Sequence, residues 1–208
     1  MKKAIAPLAV LLATTVIHLP LAQAVDASTD PYLNAVAAMK RDFQAKGQAG
    51  LDRLEQDGLQ AICNRTDNKP PKNIAERLEA DELAAVKLPA NGKLMGEWKD
   101  GEKLAQGGRG LTWSDKAGAS NGGNCYNCHQ ISPQELSYGT IGPSLLAFGR
   151  TRGHGPEVQK YVYTKIYNAK AFNLCSEMPR FGHAGALTEE EIRDLVALLL
   201  DPDSPVNK

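Results

Sequence analysis

Apolar residues recur at intervals of three and four along most of the chain, which is the spacing of amphipathic helices. Proline and glycine residues separate the patterned segments, and no convincing pair of alternating strand segments occurs. The sequence therefore predicts an all-α protein. The predicted helices cover residues 31–46, 50–62, 73–87, a segment beginning at Lys93, residues 155–169, and a last helix that follows Thr188 and ends before Pro202.

Two of the predicted helices carry signals that are more specific than periodicity. Thr188 followed by Glu191 is a capping box, which marks the start of the last helix. Gly101 lies on the same predicted helical face as Trp98 and Ala105. Because glycine has no side chain, we expect another helix to approach closely at Gly101.

The N-terminus has the pattern of a cleaved export signal. Lys2 and Lys3 precede an apolar run over residues 4–21, which prolines interrupt, and Ala22-Gln23-Ala24 is a small-x-small cleavage site. The alternative is a transmembrane anchor, but the run is near the lower length limit and contains prolines. We expect cleavage after Ala24 and a periplasmic protein with no membrane span.

The mature chain is nearly neutral, since removal of residues 1–24 leaves 22 basic and 24 acidic residues. Nucleic acid is therefore not expected as a partner, because binding it calls for a basic excess. The pattern changes at Lys93, so we predict an N-terminal helical extension over residues 25–92 and a second domain over 93–208. A glycine-rich loop over residues 107–124 lacks the phosphate-binding pattern G-x-x-x-x-G-K-[ST] and is interpreted as a connection.

Cys125-Tyr126-Asn127-Cys128-His129 is the attachment pattern of a c-type haem. Two thiols at this spacing can bond to the same porphyrin, and the imidazole that follows can ligate its iron. Three alternatives compete: a thioredoxin-like redox pair, which needs a βαβ context; a zinc site, which needs four ligands; and a plain disulfide within the motif. The export signal and the helical context favour one covalently bound haem c.

A six-coordinate haem requires a second axial ligand. Met178 precedes Pro179, which favours extended backbone and therefore a loop that crosses the open haem face. The runner-up is His183. The other candidates are Met39 and Met95, which lie on apolar helical faces, and His154, which lies between two glycines. Thioether ligation by Met178 would raise the reduction potential.

The segment Gly142-Pro143 follows the motif closely. A histidine that ligates a metal usually donates its other N–H to a carbonyl or carboxylate. We therefore expect a Gly-Pro turn here to present a carbonyl to His129, although the same residues are also compatible with an ordinary turn.

Several segments resemble the SoxX family, the mono-haem subunits of the SoxXA cytochrome of bacterial sulfur oxidation. The order of helices, haem motif, Met-Pro and C-terminal helix is also similar to a class I cytochrome c. The resemblance spans about residues 107–207 and leaves residues 25–92 outside it. The segments are GGNCYNCH, ELSYGTIGPSL, RTRG, YNAKAFNLCSEMPRFG and LLLDPDSPVN.

The resemblance implies an electron relay within L-cysteine S-thiosulfotransferase. SoxXA joins thiosulfate to a cysteine of the carrier SoxYZ, and the sulfur-transfer site belongs to the SoxA subunit. The chain would accept the released electrons and pass them to a small soluble cytochrome c. Cys125 and Cys128 would be the thioether links, and His129 and Met178 the axial ligands; no catalytic residue is expected in this chain.

Two cysteines remain after this assignment, Cys63 and Cys175. We expect them to form a disulfide that ties the N-terminal extension to the distal loop. The alternative is that Cys175, three residues before Met178, ligates the iron.

Three functions remain open at this point: a SoxXA relay subunit, a free-standing soluble cytochrome c, and a haem-based sensor or assembly subunit. An extension joined to the distal loop favours a subunit, and a methionine ligand disfavours a sensor. A basic rim near the distal side would steer an acidic partner surface. The residues that would form this rim are Arg150, Arg152, Lys160, Lys165, Lys170 and Arg180.

Overall fold

The computed structural model of the chain describes residues 30–208, so the predicted signal peptide, residues 1–24, lies outside the described residues. This part of the chain is helical. Between residues 30 and 208 no strand forms, and the β-type pairing recorded there is an isolated bridge between Lys46 and Ala49. The prediction of an all-α protein is confirmed for the described residues. No helix in residues 30–208 is both long enough and apolar enough to cross a bilayer.

The described residues contain seven α-helices and three short 3-10 helices. They divide into two compact units, one that ends at Asp42 and one over Phe43–Lys208. The first unit holds α1 (Pro31–Asp42). The second unit holds α2 (Gly58–Arg65), α3 (Lys72–Ala84), α4 (Trp98–Gln106), α5 (Phe148–Arg152), α6 (Pro156–Tyr167) and α7 (Glu189–Leu200), with 3-10 helices at Leu51–Leu54, Cys125–Asn127 and Ala169–Ala171.

The helix predicted over residues 50–62 is interrupted in the structure. A 3-10 turn, Leu51–Leu54, comes first, and α2 begins only at Gly58. Asp57 starts this helix, because its side chain accepts a hydrogen bond from the backbone N–H of Gln60 and the Gln60 side chain bonds back to Asp57. This capping box defines a new helix start in the middle of the predicted segment.

The core of the second unit forms where α4 crosses α7. Gly101 of α4 lies so close to α7 that a Cβ there would overlap the backbone carbonyl of Asp194, as expected from the sequence. The capping box predicted at Thr188 and Glu191 starts α7. From Leu195 to Leu200 every residue of α7 is buried, and α6 packs on the same helix.

Helix α3 packs against the segment that leads to Met178. The carboxylate of Glu82 accepts a hydrogen bond of 2.6 Å from the Asn168 side chain, and that of Glu79 accepts one of 2.8 Å from the backbone N–H of Leu174. Residues of the predicted N-terminal extension therefore contact the segment 168–174 directly.

Candidate haem-attachment site

The Cys-x-x-Cys-His motif forms a tight turn. Cys125–Asn127 is a 3-10 helix, and the backbone N–H of His129 donates to the carbonyl of Cys125 at 2.9 Å. The residue before the turn, Asn124, has a left-handed backbone with φ of 50°. Both cysteine side chains and the imidazole are thus brought to one short turn of chain.

The glycine pair before the motif allows two chain segments to lie in contact. A Cβ on Gly122 would overlap the backbone carbonyl of Gly107. The backbone N–H of Gly123 donates to Leu104 at 2.8 Å, and that of Asn124 to Gly107 at 2.9 Å. These bonds fix the start of the motif to the C-terminal end of α4.

The imidazole of His129 is held on two sides by the segment 142–143. Its Nδ1 lies 2.7 Å from the carbonyl oxygen of Pro143, the type of contact expected from the sequence. A Cβ on Gly142 would overlap the ring, so glycine is required for this packing. Because a carbonyl only accepts hydrogen bonds, Nδ1 carries the proton, and the lone pair of Nε2 is left for a ligand.

Cys125, Cys128, His129 and Met178 line the same cavity, which has a volume of about 950 Å³. This is near the top of the range of ~300–1,000 Å³ for small-molecule and cofactor pockets. The walls are mainly apolar, with contributions from α6 and α7. Among the wall residues are Ile131, Leu145, Val162, Leu195, Leu198 and Leu199.

The donor set in this cavity fits a c-type haem. Two thiols and an imidazole come from one turn of chain, and a thioether comes from the segment around Met178. The glycine cradle at Gly142 and the hydrogen bond to Pro143 orient the imidazole in the way expected of a metal-ligating histidine.

Other candidates for the second ligand have different surroundings. Met95 packs against the hydrophobic core, as Met178 does, but unlike Met178 it does not line the cavity. Met39 lies in α1, in the first unit. The Nδ1 of His154 is hydrogen-bonded to the carbonyl of Leu200, and His183 is exposed with its Nε2 3.4 Å from Arg180. Met178 remains the candidate that the geometry favours.

Cys175 also lines the cavity, but its sulfur is bonded to Cys63. The disulfide expected from the sequence is present, with an S–S distance of 2.06 Å and a sequence separation of 112 positions. Since Cys175 has no free thiol in this state, it does not compete with Met178 as a ligand.

The two cysteines of the motif are not bonded to each other, contrary to the alternative of a plain disulfide. Burial raises the pKa of the Cys125 thiol to about 12. Redox-active pairs instead have lowered pKa values.

Within residues 30–208 no group of three or more His, Cys, Asp or Glu side chains is arranged to hold a metal ion, so the zinc alternative lacks its ligand set there.

Tyr126, the first residue between the two cysteines, has a contact that no pattern in the sequence predicts. Its side chain is only 6% exposed, and its hydroxyl donates to the carboxylate of Glu102 at 3.0 Å. Burial raises the pKa of Glu102, and the hydrogen bond from Tyr126 partly opposes this rise. The contact ties the motif to α4.

The predicted basic rim is wrong for two of its six members. Lys170 is 7% exposed, and its ammonium donates to the carbonyl of Leu174 at 2.7 Å. The side chain of Arg180 is 15% exposed and is paired with carboxylates. Lys170 points inward because a backbone carbonyl accepts its hydrogen bond. Arg180 points inward because Asp57, the cap of α2, and Glu82 of α3 pair with its charge.

Comparison with known proteins gives one relative of comparable length. An uncharacterized lipoprotein of Aquifex aeolicus (strain VF5) is 40% identical to this chain over 155 residues, which are 74% of this chain and 73% of the relative. The chain belongs to the same family as this lipoprotein. No protein-family profile matches the chain.

Proposed function

We propose that the chain is a c-type cytochrome of class I type that transfers electrons through one covalently bound haem. The observation that carries this proposal is that Cys125, Cys128, His129 and Met178 all line one apolar cavity. These residues lie up to 53 positions apart in the sequence, yet they are the two thiols, the imidazole and the thioether that such a group requires.

Each residue has a distinct part in this function. Cys125 and Cys128 would hold the group by thioether bonds. His129 would ligate through Nε2, since Nδ1 donates to Pro143, and Met178 would ligate from its own segment. Haem held in this way supplies reversible one-electron chemistry. Apolar side chains of α6 and α7 line the cavity, and the burial of a haem among such side chains is one of the means by which a protein sets its reduction potential.

More specifically, we propose that the chain is the electron-relay subunit of a SoxXA-type complex. The motifs that resemble SoxX surround the cavity: the haem motif, the Gly-Pro turn and the Met-Pro segment all contribute lining residues. In this role the chain would pair with a SoxA cytochrome, receive electrons from the coupling of thiosulfate to SoxYZ, and pass them to a small soluble cytochrome c.

We further propose that the chain is exported and works in the periplasm. The leader pattern over residues 1–24 supports export. The relative from Aquifex aeolicus is described as a lipoprotein, which agrees with a protein that leaves the cytoplasm.

Covalent attachment is tested by expression with an export signal in a host that attaches c-type haem. After denaturing electrophoresis, a haem peroxidase stain should label the wild type but not Cys125→Ala/Cys128→Ala. The matched control is Cys63→Ala/Cys175→Ala, which also removes two cysteines but leaves the motif intact and should stain. A stained band for the motif variant would contradict the proposal.

The relay role is tested by purification from the native host and by assay of the purified chain. We expect a second cytochrome to co-purify in fixed ratio, and the chain alone not to couple thiosulfate to a carrier cysteine. A chain that purifies alone and is reduced equally well by unrelated donors would instead be a free-standing electron carrier. Sulfur transfer by the chain alone would overturn the relay role.

A further inference from the structure

Arg180, two residues after Met178, connects the Met178 segment to the two N-terminal helices of the second unit. One nitrogen of its guanidinium is paired with Asp57, the residue that caps α2. The other lies 3.8 Å from the carboxylate of Glu82, on α3. The side chains of Arg180 and Glu82 are only 15% and 17% exposed, so water screens this pair much less than a surface ion pair.

The chain before Met178 is attached to the same helices. Cys175 is bonded to Cys63 of α2, and the backbone N–H of Leu174 donates to Glu79 of α3. Met178 therefore lies between two attachment points, at positions 175 and 180. Its own backbone N–H makes a hydrogen bond of 3.3 Å to the hydroxyl of nearby Ser176, which is part of the same segment.

This arrangement makes the position of Met178 depend on helices that do not contribute to the cavity lining. Residues 179–181 follow Met178 directly, and Pro179 and Phe181 also line the cavity. Since Arg180 lies between them and points to α2 and α3, loss of its partners would release the chain on the C-terminal side of the methionine.

We propose that Arg180 is a positioning residue for the distal methionine, which it holds at the cavity by its ion pairs with Asp57 and Glu82. The proposal rests on the function proposed above, in which Met178 is the second axial ligand. It assigns a function to α2 and α3, which lie outside the SoxX resemblance: they set how firmly the methionine is bound.

The test uses the full-length holoprotein with covalent haem. Imidazole added to the ferric protein competes with Met178 for the iron, and the near-infrared sulfur-to-iron absorption band reports the loss of the methionine. We expect Arg180→Gln to bind imidazole about tenfold more tightly than the wild type. Loss of a charged hydrogen bond should weaken, by about this factor, the arrangement in which Met178 is held at the iron. Arg180→Lys should restore part of the wild-type value.

Two further variants separate positioning from a general loss of stability. Asp57→Asn keeps a side-chain oxygen to cap α2 but removes the charge that Arg180 meets, so it should shift imidazole affinity in the same direction. Lys103→Gln removes an exposed ion pair with Asp100 on α4 and should leave the affinity unchanged. Should Arg180→Gln fail to fold, Asp57→Asn tests the proposal alone.

Wild-type imidazole affinity in both Arg180→Gln and Asp57→Asn would overturn the positioning role and leave the proposed function intact. An equal change in Lys103→Gln would also overturn it. If the wild-type holoprotein lacks the sulfur-to-iron band, Met178 is not the ligand, and both this inference and that part of the proposed function are wrong.

Discussion

The Nδ1 of His129 lies 2.7 Å from the carbonyl oxygen of Pro143, while the ring of His129 covers Gly142. Two consecutive residues thus determine both the tautomer and the orientation of the imidazole. The backbone N–H of Gly142 also donates to Cys128 at 2.8 Å, which joins this segment to the motif itself. The imidazole of His129 is therefore oriented by protein contacts alone.

Gly142→Ala should displace this imidazole, because the added Cβ would overlap the ring and the glycine backbone is tied to Cys128. We expect the variant to have weakened His129 ligation and a changed Soret spectrum, with the covalent links still formed. The measurement is the absorption spectrum of the ferric and ferrous holoprotein.

Gly58→Ala is the matched control for this substitution. Gly58 is the first residue of α2, and a Cβ there would meet no atom within 4 Å. The absorption spectrum of the Gly58→Ala holoprotein should equal that of the wild type. Identical spectra for Gly142→Ala and the wild type would contradict the contact between Gly142 and His129.

Most features predicted from the sequence have short-range signals. The exception is the disulfide between Cys63 and Cys175, which was predicted because these two cysteines lie outside the Cys-x-x-Cys-His motif. The capping box at Thr188, the carbonyl that meets His129 and the close approach at Gly101 follow from residue types within a helix or within one loop. The predicted helix over residues 50–62 was wrong at its centre, because the reciprocal cap between Asp57 and Gln60 competes with the hydrophobic periodicity.

The features that were not predicted from the sequence depend on contacts between distant parts of the chain. Arg180 and Asp57 are 123 residues apart, and Tyr126 and Glu102 belong to different segments of the second unit. A single basic residue in a loop is ordinarily solvated, so Arg180 and Lys170 carried no signal of burial. The class I cytochrome fold, the haem and the relay role remain predictions from motif and cavity.

Met178→Leu should remove the second ligand while it conserves the volume of the side chain. We expect the sulfur-to-iron band to disappear and the reduction potential to fall, because thioether ligation favours the ferrous state. Optical titration of the holoprotein measures both quantities. The control is Met95→Leu, in which the substituted residue packs against the core; loss of the band in that variant but not in Met178→Leu would reassign the ligand.

Cys63→Ser/Cys175→Ser should lower the free energy of unfolding by about 2–5 kcal/mol, since the native disulfide closes a long loop and restricts the unfolded chain. Urea denaturation of the variant and of the wild type measures the difference. Peptide maps of the wild type, with and without reductant, should show Cys63 and Cys175 in one linked pair. Recovery of either residue as a free thiol from intact protein would contradict the disulfide.

The ion pair between Asp57 and Arg180 should make part of the stability depend on pH. Partial burial acts to raise the pKa of Asp57, but hydrogen bonds from the backbone of Gln60 and from Arg180 outweigh it, and the pKa is lower than its ordinary value of 3.8. A carboxylate whose pKa is lowered by folding stabilises the native state when it is ionised. Its contribution is therefore complete above the ordinary pKa and is lost as the pH falls through the lowered value.

This pH dependence of stability can be measured by comparison of the wild type with Asp57→Asn, whose side chain retains an oxygen to cap α2 but does not titrate. The difference in free energy of unfolding between the two should be largest near neutral pH and should shrink as the pH is lowered below ~4. In an Arg180→Gln background this difference in free energy should be smaller at every pH, because the charged partner of Asp57 has been removed. A difference that grows in acid, or that is the same with and without Arg180, would show that the pair with Arg180 does not stabilise the ionised carboxylate.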